Sequence, residues 1–268
     1  MTAVDLLVVG GGPSGLSAAA AAAEGGAAVT LVDEWPTLGG RLRYRRADVE
    51  VGGRTVRPAN LIESLVARAR DAGVDLRPGT VAWSAFAGSR GLEIGVRGIG
   101  DAAVLTPDRL VLATGTTDRA AIVPGATLPG VLTARALQIL LHIHGVRPGR
   151  RFAILGDDRA HELIDDIAAA GGEVVRVVPP TEVVAVVVHG QDGVQGISVR
   201  DERTSVDVVV VAIGTLPDTQ LARMNGDQAS PRVALCGSAA WQADPVGGAA
   251  TVPTTFEAAM DDGERAGR

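Results

Sequence analysis

The chain has 268 residues, of which 46% are hydrophobic and 21% are charged, and its net charge at pH 7 is −6. This composition predicts one large globular domain or two small ones, and it excludes a disordered or low-complexity chain. The negative charge argues against nucleic acid and anionic membranes as partners. No apolar run approaches the roughly 20 residues of a membrane span. Because the chain starts directly with a predicted strand, we expect no signal peptide and a cytoplasmic protein.

The residue types exclude several kinds of chemistry. The basic residues are all arginine, and the absence of lysine excludes a lysine Schiff base and a P-loop lysine. Cys236 is the only cysteine, so one chain can form neither a redox-active cysteine pair nor a cysteine-ligated iron–sulfur cluster. His142 and His144 are two positions apart on a predicted helix and point to different sides, so we predict no metal site.

The first forty residues carry the pattern of a dinucleotide-binding βαβ unit. Residues 4–9 predict a buried parallel strand, residues 14–24 an alanine-rich helix, and residues 28–32 a second strand. Between the first strand and the helix stands the run Gly10-Gly11-Gly12-Pro13-Ser14-Gly15. Gly10 permits a tight turn, Gly12 lets the backbone approach a pyrophosphate, and Gly15 lets the helix pack closely on the strand. The helix N-terminus offers free N–H groups to the phosphates.

Acidic and basic residues follow the second strand. Asp33 and Glu34 end it, about 20 residues after the glycines, where a carboxylate accepts hydrogen bonds from an adenosine ribose and disfavours the 2′-phosphate of NADP. Further along, four arginines surround Tyr44, namely Arg41, Arg43, Arg45 and Arg46. We interpret Arg41 as a contact to an anion or a flavin phosphate, and the other three as part of a solvated loop.

The rest of the chain alternates helices and strands in the manner of α/β proteins. Predicted helices cover residues 58–72, 133–144, 161–170 and 254–266, and predicted strands cover residues 74–76, 80–86, 92–96, 102–105, 109–115, 151–155, 173–178, 183–188, 194–200 and 206–213. The Pro- and Gly-rich residues 124–130 mark a domain crossing, and residues 233–237 return the chain to the first domain. We therefore predict a discontinuous first domain, residues 1–123 and 232–268, and an inserted second domain, residues 124–231.

The inserted domain begins as a second Rossmann-like unit with a degenerate loop. After its first strand the chain reads Gly156-Asp157-Asp158-Arg159-Ala160-His161, so only the first glycine of the motif is present. The two carboxylates stand where a pyrophosphate would place its negative charge, and they suit N-capping of the following helix. We predict that this domain binds no nicotinamide nucleotide.

The order of motifs resembles a known family. The residues that carry the resemblance are Val8 to Leu16, Val32-Asp33-Glu34, Gly39-Gly40, Ala113-Thr114-Gly115, Leu128-Pro129-Gly130-Val131 and Gly145 to Arg151. Together they resemble the flavin-binding subunit of bacterial heteromeric amine-oxidising enzymes. That group includes the flavin subunits of hydrogen cyanide synthase, opine dehydrogenase, dye-linked proline dehydrogenase and heterotetrameric sarcosine oxidase, all within the glutathione-reductase-like FAD/NAD(P)-binding superfamily.

The resemblance implies a fold, a cofactor and a set of binding residues. The implied fold is α/β, with two Rossmann-like dinucleotide-binding domains of the three-layer ββα type, the second of which is inserted and degenerate. FAD is the implied cofactor, with another adenine nucleotide such as NAD as the alternative. The residues expected to bind it are Gly10, Gly12, Pro13, Ser14, Gly15, Asp33, Glu34, Gly40, Arg41, Val81, Ala113, Thr114, Gly115 and Gly237. The chain departs from the family at Ser238, where an acid is expected beside the ribityl chain, and it lacks the cysteines of a C-terminal iron–sulfur module.

The sequence leaves three functions open and assigns no catalytic residue. The first is an FAD-binding subunit of a hetero-oligomeric amine or imino-acid dehydrogenase or oxidase. Its partner would be a catalytic subunit with its own flavin. The complex could also contain a separate iron–sulfur subunit. The second is a stand-alone NAD(P)H-dependent flavin oxidoreductase of the thioredoxin-reductase type without redox cysteines. The third is a non-catalytic scaffold that retains a nucleotide.

Overall fold

The computed structural model of the chain describes residues 4–88, 91–156, 160–224, 232–240 and 256–268. Its strands are β1 (Leu6–Val9), β2 (Val29–Asp33), β3 (Val49–Val51), β4 (Arg54–Val56), β5 (Asp75–Pro78), β6 (Val81–Gly88), β7 (Gly91–Arg97), β8 (Ala102–Leu105), β9 (Arg109–Leu112), β10 (Thr116–Asp118), β11 (Val131–Thr133), β12 (Arg151–Gly156), β13 (Glu173–Val178), β14 (Val186–Gly190), β15 (Val194–Val199), β16 (Glu202–Thr204), β17 (Val208–Ala212), β18 (Thr215–Pro217) and β19 (Val233–Leu235). Its α-helices are α1 (Pro13–Glu24), α2 (Pro58–Asp71), α3 (Ala134–His142), α4 (Ala160–Ala169), α5 (Gln220–Met224) and α6 (Phe256–Gly267). Short 3₁₀ helices cover Gly40–Tyr44, Pro180–Ala185 and Gly237–Ala239.

The chain divides into two compact units. The first unit contains residues 1–43, 48–116 and 217–268, and the second unit contains residues 44–47 and 117–216. The domain boundaries expected from the sequence, after residue 123 and before residue 232, remain a prediction.

The first unit is built of three layers around a parallel sheet with the strand order β19-β9-β1-β2-β5. Successive side chains of a strand point to opposite faces of the sheet. Leu6 and Val8 accordingly pack in a core with the helices α1 and α2. Leu7 and Val9 pack in a second core against the antiparallel sheet β6-β7-β8. Because β1 is buried on both faces, its sequence is continuously apolar.

Helix α6 lies directly against α1. A Cβ on Gly263 would collide with the carbonyl oxygen of Ser14, and a Cβ on Gly267 would collide with that of Ala18. Two glycines four positions apart share one face of a helix, so they let the two backbones approach. This contact fixes the last helix of the unit against the helix that follows the glycine-rich loop.

The second unit repeats the three layers. Its parallel sheet has the order β11-β17-β12-β13. Phe152 and Ile154 of β12 face the helices α3 and α4. Ala153 and Leu155 face the core that contains the antiparallel strands β14 and β15. The predicted fold class, an α/β protein with two Rossmann-like parallel sheets, is therefore confirmed.

One predicted strand is misplaced. The sequence predicts a strand over residues 183–188, whereas the structure has a 3₁₀ helix over Pro180–Ala185 and starts β14 at Val186. Two consecutive prolines start this turn, with Pro179 extended and Pro180 at the first helical position, where its missing N–H is no loss. Val183 is buried in the core, which explains the apolar pattern without a strand.

Two expectations concern what the chain lacks. Of the degenerate loop, Gly156 is described, whereas Asp157, Asp158 and Arg159 lie outside the described residues, so the loss of nucleotide binding by the second unit stays a prediction. In the part of the chain that the structure describes, every helix is too short or too polar to cross a lipid bilayer.

Candidate functional site

Two glycines of the loop after β1 are required by the fold itself. Gly10 has φ +108°, and a Cβ there would collide with the carbonyl oxygen of Ala113 on the neighbouring chain segment. A Cβ on Gly15 would collide with the carbonyl oxygen of Gly10. The loop is therefore tightly packed, because the start of helix α1 lies against Gly10 and Gly10 lies against the segment that follows β9.

Gly12 is different, because the fold leaves room for a side chain there. It is the N-cap residue of α1 with an ordinary extended backbone, φ −77° and ψ −178°. A Cβ on Gly12 would come no closer than 3.8 Å to its nearest described neighbour, the Cα of Gly40. Any L-residue fits this conformation, so packing within the described chain does not explain the glycine.

The N-terminus of α1 is prepared for an anion. The helix has no side-chain cap and no acidic residue in its first turn, and Pro13 and Ser14 at its start are buried. The free N–H groups of an uncapped helix N-terminus carry partial positive charge and bind phosphate well. The backbone of Gly39 donates to the carbonyl of Gly11 at 2.8 Å, so the Gly39-Gly40 turn lies beside the glycine-rich loop.

Asp33 ends β2 and is fixed by two backbone amides. One carboxylate oxygen accepts from the N–H of Gly11 at 2.5 Å, and the other accepts from the N–H of Trp35 at 2.8 Å. Burial raises the pKa of the Asp33 carboxyl, while these two hydrogen bonds and the charge of Arg43 oppose the rise. A carboxylate has about four acceptor positions, so Asp33 retains capacity for a ligand hydroxyl.

Of the three arginines expected in a solvated loop, Arg46 is exposed, whereas Arg43 and Arg45 are half-buried and make specific contacts. The guanidinium of Arg43 lies over the ring of Trp35, 4.4 Å from its centroid. In the second unit, Arg45 pairs with Glu162 at 3.5 Å, and Arg46 donates from Nε to Nδ1 of His142 at 3.2 Å. Tyr44 itself is buried. Arg41 is the exposed arginine among those of the 3₁₀ helix, and its predicted anion contact stays a prediction.

The opposite end of the site is built where β9 and β19 end. The hydroxyl of Thr114 donates to the carbonyl of Asp218 at 2.6 Å, so this side chain holds the returning chain. Gly115 has φ +76°, and a Cβ there would meet nothing within 4 Å. Gly237 has φ +61° and abuts the Ser14 side chain at the start of α1. The N–H of Gly237 donates to the carboxylate of Asp262 on α6 at 2.6 Å.

The predicted site residues all lie in the first unit. They occupy the carboxyl ends of β1, β2, β9 and β19 and the start of β6, where an open α/β sheet binds its ligand. Glu34 and Val81 are exposed and Ala113 is half-buried beside Gly10. The sequence missed Asp262, because it lies on α6, 25 positions from the glycine that it contacts. The binding roles of the predicted residues stay predictions.

A comparison with known families assigns the chain. Residues 4–156 match the model of the pyridine nucleotide-disulphide oxidoreductase family. The chain belongs to this family. A pyridine nucleotide-disulphide oxidoreductase domain is an oxidoreductase domain, and the family points to FAD as the cofactor. The described residues fit FAD. There is free space beside Gly12, the N-terminus of α1 has no side-chain cap, and Asp33 is held at the end of β2 by the N–H of Gly11.

The chain is similar to curated proteins that are named as subunits of oxidases. The chain is 35% identical over 164 residues to an opine oxidase subunit of Agrobacterium tumefaciens (strain Ach5), which covers 57% of this chain and 32% of that protein. It is 29% identical over 293 aligned positions to the alpha subunit of sarcosine oxidase from Rhizobium meliloti (strain 1021), covering 97% of this chain and 29% of that protein. The chain thus spans about a third of the length of these curated relatives.

Solved structures share the fold. L-Proline dehydrogenase from P. horikoshii aligns with a TM-score of 0.80 at 21% identity, over 99% of this chain and 54% of that chain. Thioredoxin reductase from T. acidophilum aligns with a TM-score of 0.72 at 16% identity, over 100% of this chain and 97% of that chain. The chain therefore shares its fold with both of these proteins.

Proposed function

We propose that this chain is the FAD-binding part of a multi-subunit dehydrogenase or oxidase of amines or imino acids of the opine, proline or sarcosine type. In this proposal a partner subunit oxidises the substrate, and this chain supports the transfer of electrons away from it. The names of the relatives support the proposal, since the matched opine oxidase and sarcosine oxidase chains are both subunits.

The main support for cofactor binding is the space beside Gly12, where a Cβ would come no closer than 3.8 Å to a described atom. Gly10 and Gly15 cannot accept a Cβ without a collision with backbone, whereas Gly12 can. A glycine that neither its backbone conformation nor its described neighbours require is explained by a ligand that must approach the backbone closely. In the family the approaching group is a pyrophosphate, and the uncapped helix start offers it N–H donors.

The residues of the site then act as binders and orienters. The N–H groups at the start of α1 hold the pyrophosphate, and Asp33 accepts hydrogen bonds from the adenosine ribose. FAD bound there would accept and release electrons as hydride or one at a time. Gly115 also leaves the backbone after β9 without a side chain, although its φ of +76° favours glycine there in any case.

The single cysteine of the chain is not suited to act as a nucleophile. Cys236 is buried, and burial together with the charge of Asp262 raises the pKa of its thiol to about 12, which keeps it a thiol at neutral pH. Among the described residues no group of three His, Cys, Asp or Glu side chains could hold a metal ion. These observations support substrate oxidation by a partner chain.

The test starts from the purified full chain. We expect a flavin spectrum, and we expect Gly12→Val to weaken FAD binding at least tenfold while the thermal midpoint changes by less than a few degrees. Gly98→Val is the matched control, because a Cβ on Gly98, at the end of β7, would lie 3.5 Å from the Thr80 hydroxyl, an ordinary contact. Unchanged FAD affinity in Gly12→Val would place the cofactor elsewhere.

A second measurement separates the partner model from its rivals. Sarcosine, proline and an opine are offered to the FAD-loaded chain with a redox dye, and we expect no amine-dependent dye reduction. Rapid reduction would overturn the need for a catalytic partner. Anaerobic titration with NADH and NADPH should leave the flavin oxidised, and rapid bleaching would instead support the stand-alone reductase.

The alternative function, a non-catalytic scaffold that retains a nucleotide, is supported by the residues around Gly237. The N–H of Gly237 already donates to Asp262, and Ser238 stands where the resembling family has an acid. A chain that binds ADP but not FAD would support a nucleotide-retaining scaffold and contradict the electron-transfer proposal.

A further inference from the structure

The adenine end of the site can be located from the sheet order. A dinucleotide that places its pyrophosphate at the start of α1, after β1, and its ribose at Asp33, after β2, runs from β1 toward β2. The next strand in that direction is β5. A dinucleotide bound in this way would place its adenine beyond Asp33, where the chain leaves β2 and β5. Trp35 lies there, hydrogen-bonded to Gly79 of the turn after β5, and Arg43 lies over its ring.

The backbone fixes Trp35 at this position. Its N–H donates to the Asp33 carboxylate at 2.8 Å, and its carbonyl accepts from the N–H of Gly79 at 2.8 Å. The N–H of Thr80 also donates to the Asp33 carbonyl at 2.8 Å. The loop after β2 is thus tied both to the ribose-binding carboxylate and to the turn after β5.

The Trp35 ring and the Arg43 guanidinium form a stacked pair. The guanidinium carbon lies 4.4 Å from the ring centroid, and the positive charge of Arg43 also acts on the Asp33 carboxyl. Trp35 is exposed, whereas tryptophan side chains in folded proteins are highly buried on average. A large aromatic side chain held by backbone bonds at the surface, with a planar cation upon it, offers a flat stacking surface.

We propose that Trp35 and Arg43 form the platform that receives the adenine ring of the cofactor. This inference rests on the proposed function, since it assumes a dinucleotide over Asp33. Indole rings and guanidinium planes both stack on nucleobases, and such stacking needs no hydrogen bond to the base edge. The pair therefore binds the base, while Asp33 binds the sugar and the α1 N-terminus binds the phosphates.

The experiment measures binding of ADP and of inorganic pyrophosphate to the nucleotide-free full chain by calorimetry. We expect Trp35→Leu and Arg43→Leu each to weaken ADP binding at least fivefold, with pyrophosphate binding unchanged. Trp35→Phe keeps an aromatic plane and should stay within threefold of the wild type for ADP. Trp83→Leu is the matched control, because Trp83 is an exposed tryptophan of the same unit that lies over Gly95 instead.

The outcomes separate the platform from the proposed function. If the wild type binds FAD and ADP while both leucine variants bind ADP equally well, the platform is wrong and the proposed function stands. Equal losses for ADP and pyrophosphate would also overturn it, because they would show that the pair only supports the loop. If Trp35→Leu fails to fold, Arg43→Leu and Trp35→Phe decide. A wild type that binds neither FAD nor ADP would refute the proposed function and the platform together.

Discussion

The two units share one architecture, and they share the glycine that the architecture needs. Gly10 follows β1 and Gly156 ends β12, each the first strand of its βαβ unit. A Cβ on Gly10 would collide with Ala113, and a Cβ on Gly156 would come within 2.9 Å of the Ala212 Cβ and carbonyl oxygen. Ala113 follows β9 and Ala212 ends β17, the neighbouring strand in each sheet. The glycine that packing requires is therefore present in both units.

The units differ in the features that serve a ligand. Helix α1 has no acidic residue in its first turn, whereas α4 carries Glu162 there, paired with Arg45. Strand β2 ends in Asp33, whereas β13 ends at Val178 and is followed by two prolines. The packing inside a sheet and the features at its edge therefore depend on different residues. The predicted loss of nucleotide binding by the second unit is compatible with its intact core for this reason.

The largest expected effect tests the shared glycine. Gly10→Ala should lower the free energy of unfolding of the first unit by about 3 kcal/mol or more, because the Cβ meets backbone and φ is +108°. Gly156→Ala has the collision without a positive φ, so we expect about 1–2 kcal/mol in the second unit. The described tryptophans, Trp35 and Trp83, belong to the first unit, so tryptophan fluorescence is used to follow that unit during denaturation, while far-UV circular dichroism follows both units.

Gly12→Ala is the matched control for this pair. It is the same substitution in the same loop, and its Cβ finds open space, so we expect a loss below about 1 kcal/mol. A Gly12 variant as unstable as the Gly10 variant would contradict the distinction between glycines for the fold and glycines for the ligand.

The next comparison concerns charge networks. In the second unit, Asp166 is buried between His142, 2.9 Å from its ring Nε2, and Gln138, whose amide donates at 3.1 Å. Asp166→Ala would leave His142 and Gln138 without this hydrogen-bond acceptor, so we expect the free energy of unfolding to fall by about 2–3 kcal/mol. In the first unit, Arg68 bridges Glu24 and Glu264 at the surface. Glu24→Ala should cost less than about 1 kcal/mol, because solvent screens exposed ion pairs.

Asp165 supplies the control, since it is the exposed neighbour of Asp166 on α4. We expect Asp165→Ala to stay within about 0.5 kcal/mol of the wild type in denaturant unfolding. Equal losses for Asp165→Ala and Asp166→Ala would show that the helix, rather than the buried carboxylate, responds to the change.

The sequence predicts the parts of this molecule that depend on local pattern. The strand, turn and helix of residues 4–24 could be read because a buried parallel strand is continuously apolar and because tight turns need glycine. The same reasoning failed at Val183, since a 3₁₀ turn that buries one valine carries the same apolar pattern as a strand. Hydrophobic pattern reports burial more directly than it reports backbone conformation.

Contacts between distant residues carry no such local signal. Arg46 meets His142, 96 positions away, and Gly237 meets Asp262, 25 positions away. Both contacts follow from how elements pack, and neither spacing marks a partner. The predicted set of binding residues therefore includes the glycines and the acid of the first forty residues but omits Asp262, which contacts Gly237, and the residues of the proposed platform, Trp35 and Arg43.

The smallest expected effect contrasts two carboxylates with opposite pKa shifts. Burial raises the pKa of Asp33, so the folded first unit binds its proton more tightly than the unfolded chain does. Its contribution to stability is present below the unfolded value of about 3.9 and is lost as the pH rises through the folded pKa. Backbone N–H groups of Arg151 and Arg150 lower the pKa of Asp207 in the second unit. Its contribution is present above about pH 3.9 and is lost as the pH falls through its folded pKa.

Thermal midpoints of the wild type, Asp33→Asn and Asp207→Asn between about pH 4 and pH 7 check these signs, because asparagine does not titrate. We expect the advantage of the wild type over Asp33→Asn to shrink as the pH rises from 4 and then to level off. The advantage over Asp207→Asn should stay flat from pH 7 to 5 and shrink only as the pH approaches 4. A growing advantage over Asp33→Asn with rising pH would mean that the amides of Gly11 and Trp35 outweigh burial. In that case Asp33 would be held as a carboxylate by its own loop, and the ribose of a bound dinucleotide would meet an acceptor that is already fully ionised.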